Sequence, residues 1–184
     1  MSGSHYFSSK PTVEDRRGLI RTILRGKQYE FITSRGVFSS KRIDNGTRIL
    51  AENMILPKGG RLLDMGCGIG ILGIVAARER ADLEGGMSDI NQRAVELTRL
   101  NAKRNKVSNF SVHEGHLYES LGDIMFDTII SNPPISAGMR KVVFPLIRRA
   151  KERLVEGGTL QLVIQSKKGG KMLARAMDET FGEH

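Results

Sequence analysis

The hydrophobic positions of the chain fall into two periods, and the change from one to the other divides it. Leu19, Ile20, Ile23 and Leu24 recur at helical spacing among Arg16, Arg17, Arg21 and Arg25, which fits a short helix with one apolar stripe inside the polar, basic stretch 1–26. From Lys27 to Phe38 the period shortens to two. Tyr29 and Phe31 alternate with Gln28 and Glu30, and Ser34-Arg35-Gly36 supplies a turn before Val37, so a hairpin is expected. Asp44-Asn45-Gly46-Thr47 then carries helix-capping residue types ahead of Ile49, Leu50, Asn53 and Met54, and Pro57-Lys58-Gly59-Gly60 ends that helix.

Beyond this point strands and helices alternate. Strands are expected at Arg61–Met65, Gly85–Ser88 (ending at Asp89), Phe110–His113, Phe126–Ser131 and Thr159–Gln165. Helices are expected at Ile71–Arg80, from Asn91 through Asn105, around Leu146–Leu154 with Pro145 in its first turn, and at Lys171–Phe181, with Gly157-Gly158 stopping the third. Such alternation predicts an α/β fold, a mainly parallel sheet with helices on both faces. The chain of 184 residues is long enough for one domain with a core: a hairpin and helix extension over 1–57 and a Rossmann-like core over 58–184.

Composition narrows the setting. A net charge of +9 points to a polyanionic partner. The single cysteine, Cys67, cannot form an intrachain disulfide and suits a reducing compartment, where it serves as a small packing residue. No segment reaches the ~18 apolar residues of a membrane span, and Met1 to Phe7 lacks the apolar core of a signal peptide. A soluble, cytoplasmic protein is expected, with no membrane partner and with monomer and homodimer both open.

The chemistry concentrates in two stretches. Leu62-Leu63-Asp64-Met65-Gly66-Cys67-Gly68-Ile69-Gly70-Ile71-Leu72-Gly73 reads as strand, glycine loop and helix start, the arrangement that lets backbone and helix amino end approach a nucleotide-type cofactor. Gly68 to Gly73 also matches G-x-G-x-x-G, with Asp89 near the expected ~20-residue distance, the fingerprint of a dinucleotide-binding oxidoreductase. Asp64 separates the two readings. A carboxylate there repels a pyrophosphate but attracts the sulfonium and amino groups of S-adenosylmethionine. Asp89, at the end of the next strand, can accept both ribose hydroxyls. The second stretch, Asn132-Pro133-Pro134-Ile135, follows a convincing strand. The prolines hold Asn132 away from helical geometry and leave carbonyls unused, so the Asn132 oxygen and the Pro133 carbonyl can grip the two hydrogens of a planar amine.

Together these stretches resemble class I S-adenosylmethionine-dependent amino-methyltransferases, and more narrowly the archaeal relatives of ribosomal RNA small subunit methyltransferase C, which methylate guanine N2. The resemblance covers Tyr6-Phe7, Gly36-Val37-Phe38-Ser39, Asp44-x-Gly46-Thr47, Asp64–Gly70, Asp89-Ile90-Asn91, Leu117-Tyr118-Glu119, Asn132–Ile135, Ile164-Gln165 and Phe181-Gly182. It implies that Asp64, Met65, Gly66, Cys67, Gly68, Gly70, Asp89, Ile90 and Asn132 hold S-adenosylmethionine, that Asn132, Pro133, Pro134 and Ile135 form the acceptor clamp, and that S-adenosylhomocysteine is the product, with no metal. Ile135 in place of an aromatic leans towards guanine N2 over adenine N6 or a protein glutamine. The chain departs from the pattern twice. His116 stands where an acidic residue usually meets the adenine amine, and the antiparallel hairpin that usually closes the sheet is not expected within these residues. Phe38, Lys41, Arg42, Arg140 and Lys141 are expected to flank the pocket mouth, where cations would contact the phosphates of RNA. An RNA-binding or ribosome-assembly protein without turnover is the competing reading from outside the enzymes.

Overall fold

The structure is a computed structural model that describes residues 17–35, 37, 42–135, 138–165, 167 and 169–182. Its centre is a parallel five-stranded sheet in the order β5-β4-β3-β6-β7. These strands are β3 (Gly60–Met65), β4 (Leu83–Asp89), β5 (Phe110–Glu114), β6 (Phe126–Ser131) and β7 (Leu154–Leu162). Helices α2 (Ile71–Glu79), α3 (Gln92–Arg104), α4 (Phe144–Lys151) and α5 (Gly170–Phe181) complete a Rossmann-like α/β fold. Ahead of it stand an antiparallel hairpin, β1 (Arg17–Leu24) and β2 (Lys27–Ser34), and helix α1 (Asn45–Asn53).

Neighbouring residues of the central strands feed opposite cores. Leu62 and Ile130 pack with α1, α2, α3 and the hairpin, whereas Leu63 and Ile129 pack with α4 and α5. All four are fully buried, which is why these strands read as unbroken apolar runs and not as alternation. Gly73 lets α2 settle onto the sheet, since a Cβ there would lie 2.5 Å from Met87.

Three expectations are corrected. Residues 17–24 form a strand, not a helix: Ile20 and Leu24 face the core while Leu19 and Ile23 are exposed. The hairpin turn is Arg25-Gly26, both at positive φ, the primed geometry that suits strand twist, so the hairpin spans 17–34, with Ser34 its last paired residue and Arg35 past its end. Gly157-Gly158 does not stop a helix. The helix ends at Lys151, and the glycines lie inside β7, where Phe126 faces Leu154 but Thr128 faces Thr159, so the extra residues bulge out. β7 accordingly begins before the expected Thr159 and ends before Gln165. Phe38 and Lys41 lie outside the described residues. Among the described residues no helix is long and apolar enough to cross a membrane.

The hairpin is fastened by side chains of α3. Asn101 accepts from Ile32 N (2.6 Å) and donates to Ile32 O and Ile69 O, both at 2.9 Å. One turn on, Asn105 accepts from Glu30 N and donates to Glu30 O. Two amides at helical spacing thus occupy the outer edge of β2 as a neighbouring strand would, and Asn101 ties that edge to the glycine loop. At the other end, Arg25 donates to Ala51 O and Met54 O, satisfying the last carbonyls of α1. Because Asn101 is fully buried, Asn101→Ala is expected to cost about 3 kcal/mol, roughly 1 kcal/mol for each of the bonds to Ile32 N, Ile32 O and Ile69 O. Urea unfolding followed by circular dichroism checks this, and a loss under about 1 kcal/mol would remove the tie from the account.

Candidate active site

The strand order reverses between β3 and β6, and the loops after these two strands open a crevice at their carboxyl ends, where ligands of such sheets bind. Ser131 Oγ donates to Met65 O at 2.6 Å and clamps the two strand ends together. The crevice is a cavity of about 410 Å³ lined by residues of both loops.

Asp64 lies at its floor, 1 % exposed. Oδ2 accepts from Gly73 N at 2.8 Å, which pins the first turn of α2, while Oδ1 is buried with no partner among the described residues. Burial pushes this carboxyl up to about 7, the Gly73 N–H opposes the rise, and the nearby Asp89 adds to it. Asp89, the last residue of β4, accepts from Gly68 N through Oδ2 and from Asn91 N through Oδ1, both at 2.9 Å. It too is raised, by burial, against backbone bonds from Asn91, Gly68 and Ile90. Two carboxyls whose charged forms are disfavoured by burial line one cavity, an environment in which positive charge on a ligand would favour their ionised forms.

The glycine loop is shaped to admit a ligand. Gly66 and Gly68 have positive φ, and a Cβ on either would project into open space with no atom within 4 Å. Gly66 N and Cys67 N donate to Ser88 O, and Thr98 Oγ1 donates to Gly68 O at 2.9 Å, so the bend is held from the sheet side and from α3. Cys67 is buried 3.6 Å from the Thr98 hydroxyl, and burial drives its thiol well up, as suits a packing residue and not a nucleophile.

On the far wall Asn132 Nδ2 donates to Asp44 Oδ1 (3.0 Å) and to Thr47 Oγ1 (2.9 Å), joining the β6 loop to the first turn of α1. Among the described residues no hydrogen bond reaches Asn132 Oδ1. Beyond the loop the chain makes a single wide turn of π-helix, Met139–Val143, before α4; Val142 and Leu146 complete the wall.

Of the residues singled out from sequence, Asp64, Met65, Gly66, Cys67, Gly68, Asp89, Ile90, His116, Asn132 and Pro134 line the cavity. Gly70, which precedes α2 at positive φ, Pro133 and Ile135 are not among the lining residues, although Pro133 and Ile135 flank Pro134, which is. Arg42, Arg140 and Lys141 are exposed and outside it. Sequence reasoning missed Asp44 and Thr47 as site residues, reading them as a helix start and as part of the family resemblance, and missed Val37, Leu117 and Val142. Leu117 is buried in the left-handed region, a conformation that no residue type announces.

Comparisons with known proteins bear on the family and the fold. The family model of the methyltransferase small domain matches residues 28–184. The chain is 36% identical to the uncharacterized protein YbxB of Bacillus subtilis over 181 residues, covering 97% of this chain and 90% of that protein. It is 35% identical over 152 residues to ribosomal RNA small subunit methyltransferase C of Photorhabdus laumondii, covering 81% of this chain but 44% of the relative, so it spans less than half of that protein. Among solved structures, a T. thermophilus 16S rRNA N2 guanine methyltransferase in complex with AdoMet and guanosine superposes with a TM-score of 0.79 at 24% identity, covering 94% of this chain and 47% of that one. This last likeness concerns the fold.

The buried carboxyl gives the free protein a pH signature. Asp64 holds its proton to about 7 when folded and to about 4 when unfolded. Between these values the folded state binds more protons, so the stability contributed by this group is full below about 4 and declines by ~4 kcal/mol as pH rises through 7. Asp64→Asn keeps an acceptor for Gly73 N and should lack this share of the decline. Urea midpoints from pH 4 to 8 check it; parallel curves for the two proteins would refute the buried, proton-holding carboxyl.

Proposed function

The chain belongs to the methyltransferase small-domain family, and on that premise we propose that it transfers a methyl group from S-adenosylmethionine to an exocyclic amine of an RNA base, guanine N2 of ribosomal RNA. The observation that carries this reading is that one cavity is lined by Asp64, whose buried Oδ1 has no partner among the described residues, by Asp89, and by Asn132, whose amide nitrogen is already bonded to Asp44 and Thr47.

The residues present fit the methyl donor. The bend at Gly66 and Gly68 leaves room where side chains would stand, and Asp64, buried at the cavity floor, would be stabilised in its ionised form by the donor's positive charge. Asp89 keeps lone pairs on both oxygens for a ribose diol after serving Gly68 and Asn91. His116 and Leu117, past the end of β5, give the adenine an imidazole nitrogen and an apolar face. When bound, S-adenosylmethionine supplies an electrophilic methyl on a sulfonium.

At the acceptor side, Asn132 Oδ1 and the Pro133 carbonyl each take one N–H of the amine and aim the nitrogen at that methyl. With S-adenosylmethionine bound there, its sulfonium would supply the methyl and keep the electron pair of the C–S bond, and the amine held by Asn132 and Pro133 would release one N–H proton to water. Rate enhancement comes from positioning and from the two oxygens opposing the charge that grows on nitrogen. A guanine in a duplex cannot reach this wall, so the target is unpaired or turned out of its stack. The net charge of +9 and the exposed Arg42, Arg140 and Lys141 supply phosphate contacts of the sequence-independent kind, and a cytoplasmic setting and an undivided methyltransferase domain over 1–184 belong to the same reading.

Calorimetry with S-adenosylmethionine and with NAD, followed by nucleoside mass spectrometry of unmodified ribosomal RNA incubated with the protein, tests this. Binding of the first ligand and appearance of N2-methylguanosine are expected; binding of NAD alone overturns the reading. Asn132→Ala should keep cofactor affinity within about twofold while methyl transfer falls by ~10² or more, as for loss of a positioning group.

A further inference from the structure

We propose that Asp44 and Thr47 are positioning residues that lock the Asn132 amide in one of its two orientations, with the oxygen turned to the acceptor amine. The inference rests on the role given to Asn132 above.

The lock follows from hydrogen counting. Thr47 Oγ1 lies 2.5 Å from Asp44 Oδ2 and donates its only hydrogen there, so it can only accept from any other neighbour. Asp44 Oδ1 is a carboxylate oxygen that already takes Thr47 N at 3.0 Å. Both acceptors then meet one terminal atom of Asn132, at 3.0 and 2.9 Å. That atom must be the NH₂ nitrogen, because the flipped amide would crowd three oxygens together and strand two hydrogens elsewhere. Both amide hydrogens are spent on this side, which leaves Oδ1 for the substrate. The carboxylate also draws the amide's electron density towards Oδ1, making it a stronger acceptor for an N–H whose nitrogen is becoming positive.

Helix capping alone does not require this arrangement. Asp44 caps α1 through Thr47 N whether or not Asn132 is near. Gly46 supplies the remaining piece: a Cβ there would stand 3.3 Å from both terminal atoms of Asn132, so only glycine lets the first turn of α1 close on the amide without displacing it. Asp44-x-Gly46-Thr47 thus works as anchor, gap and second acceptor for a residue far away in sequence.

Asp44→Asn and Thr47→Val test the proposal. Asparagine caps helices as well as aspartate, so α1 is retained, but its own amide can meet Asn132 with either atom and the lock opens. Valine removes the second acceptor at constant shape. Three quantities are read: calorimetric affinity for S-adenosylmethionine, single-turnover methyl transfer to ribosomal RNA, and solvent exchange of the Asn132 side-chain amide protons by ¹⁵N NMR of the free protein. Both variants should keep cofactor affinity within about twofold, lose ~10-fold in transfer rate, and exchange those protons faster than the parent. Thr47→Ser, which restores the hydroxyl, should return the rate. Amide exchange as slow in Asp44→Asn as in the parent, or faster exchange with an undiminished rate, overturns the proposal. A parent protein that methylates no RNA overturns the function proposed above instead, and the exchange measurement still decides the lock.

Discussion

The hydrogen bond from Gly73 N–H to the buried Asp64 carboxyl is the constraint around which the rest of the molecule is arranged. It joins the end of the central strand to the first turn of α2 and so sets the path of the five residues of loop between them, Gly66 to Gly70, through which any cofactor must be met. It satisfies one oxygen and leaves the other orphaned below the cavity. A carboxyl in that position lowers the stability of the empty protein at neutral pH, and the loss is offset only when positive charge arrives. Stability and ligand capture are therefore opposed at one atom, the compromise expected where a fold carries a site.

Around this point the fold uses polar side chains as structural members. Ser131 closes the gap between the two loops, Thr98 holds the glycine bend, and Asn101 and Asn105 take the place of a strand along β2. Each is buried, and each is bonded to backbone, the pattern that makes a buried polar group an asset in place of a cost. The acceptor wall follows the same rule. Asn132 is held by a helix cap from the amino-terminal segment, so the part of the chain ahead of the sheet completes the site and does not merely cover it.

Much of this was legible in the sequence, for physical reasons that differ by residue. Strands buried on both faces show as short apolar runs, and Leu62-Leu63 and Ile129-Ile130 gave themselves away in that manner. Asp64, Asp89 and Asn132 were legible because strand ends in an α/β sheet deliver their next residues to one crevice. The first strand was not. Leu19, Ile20, Ile23 and Leu24 satisfy a helical period by coincidence, and the choice was made by the Arg25-Gly26 turn and by pairing with β2, which α3 fastens from a distance in sequence. The bulge at Gly157-Gly158 was hidden likewise, since paired glycines mark a break in either kind of element. Asp44 and Thr47 read as a cap because they are one; their second bond crosses 88 and 85 residues, and no local pattern carries that distance.

The amide ladder on β2 also bears on the order in which the chain is assembled. A two-stranded ribbon is marginal by itself in water, and the partners of its outer edge lie 69 and 75 residues downstream. During synthesis the ribbon is thus made well before its partners and secured late, waiting until α3 has left the ribosome and docked. Asn101 secures Ile32 and Ile69 together, so the arrival of one helix finishes an early ribbon and gives a later bend its shape in a single event. Such distant pairings raise contact order and slow the final step, and the nascent protein gains its cofactor bend no sooner than it loses its last open strand edge on that side.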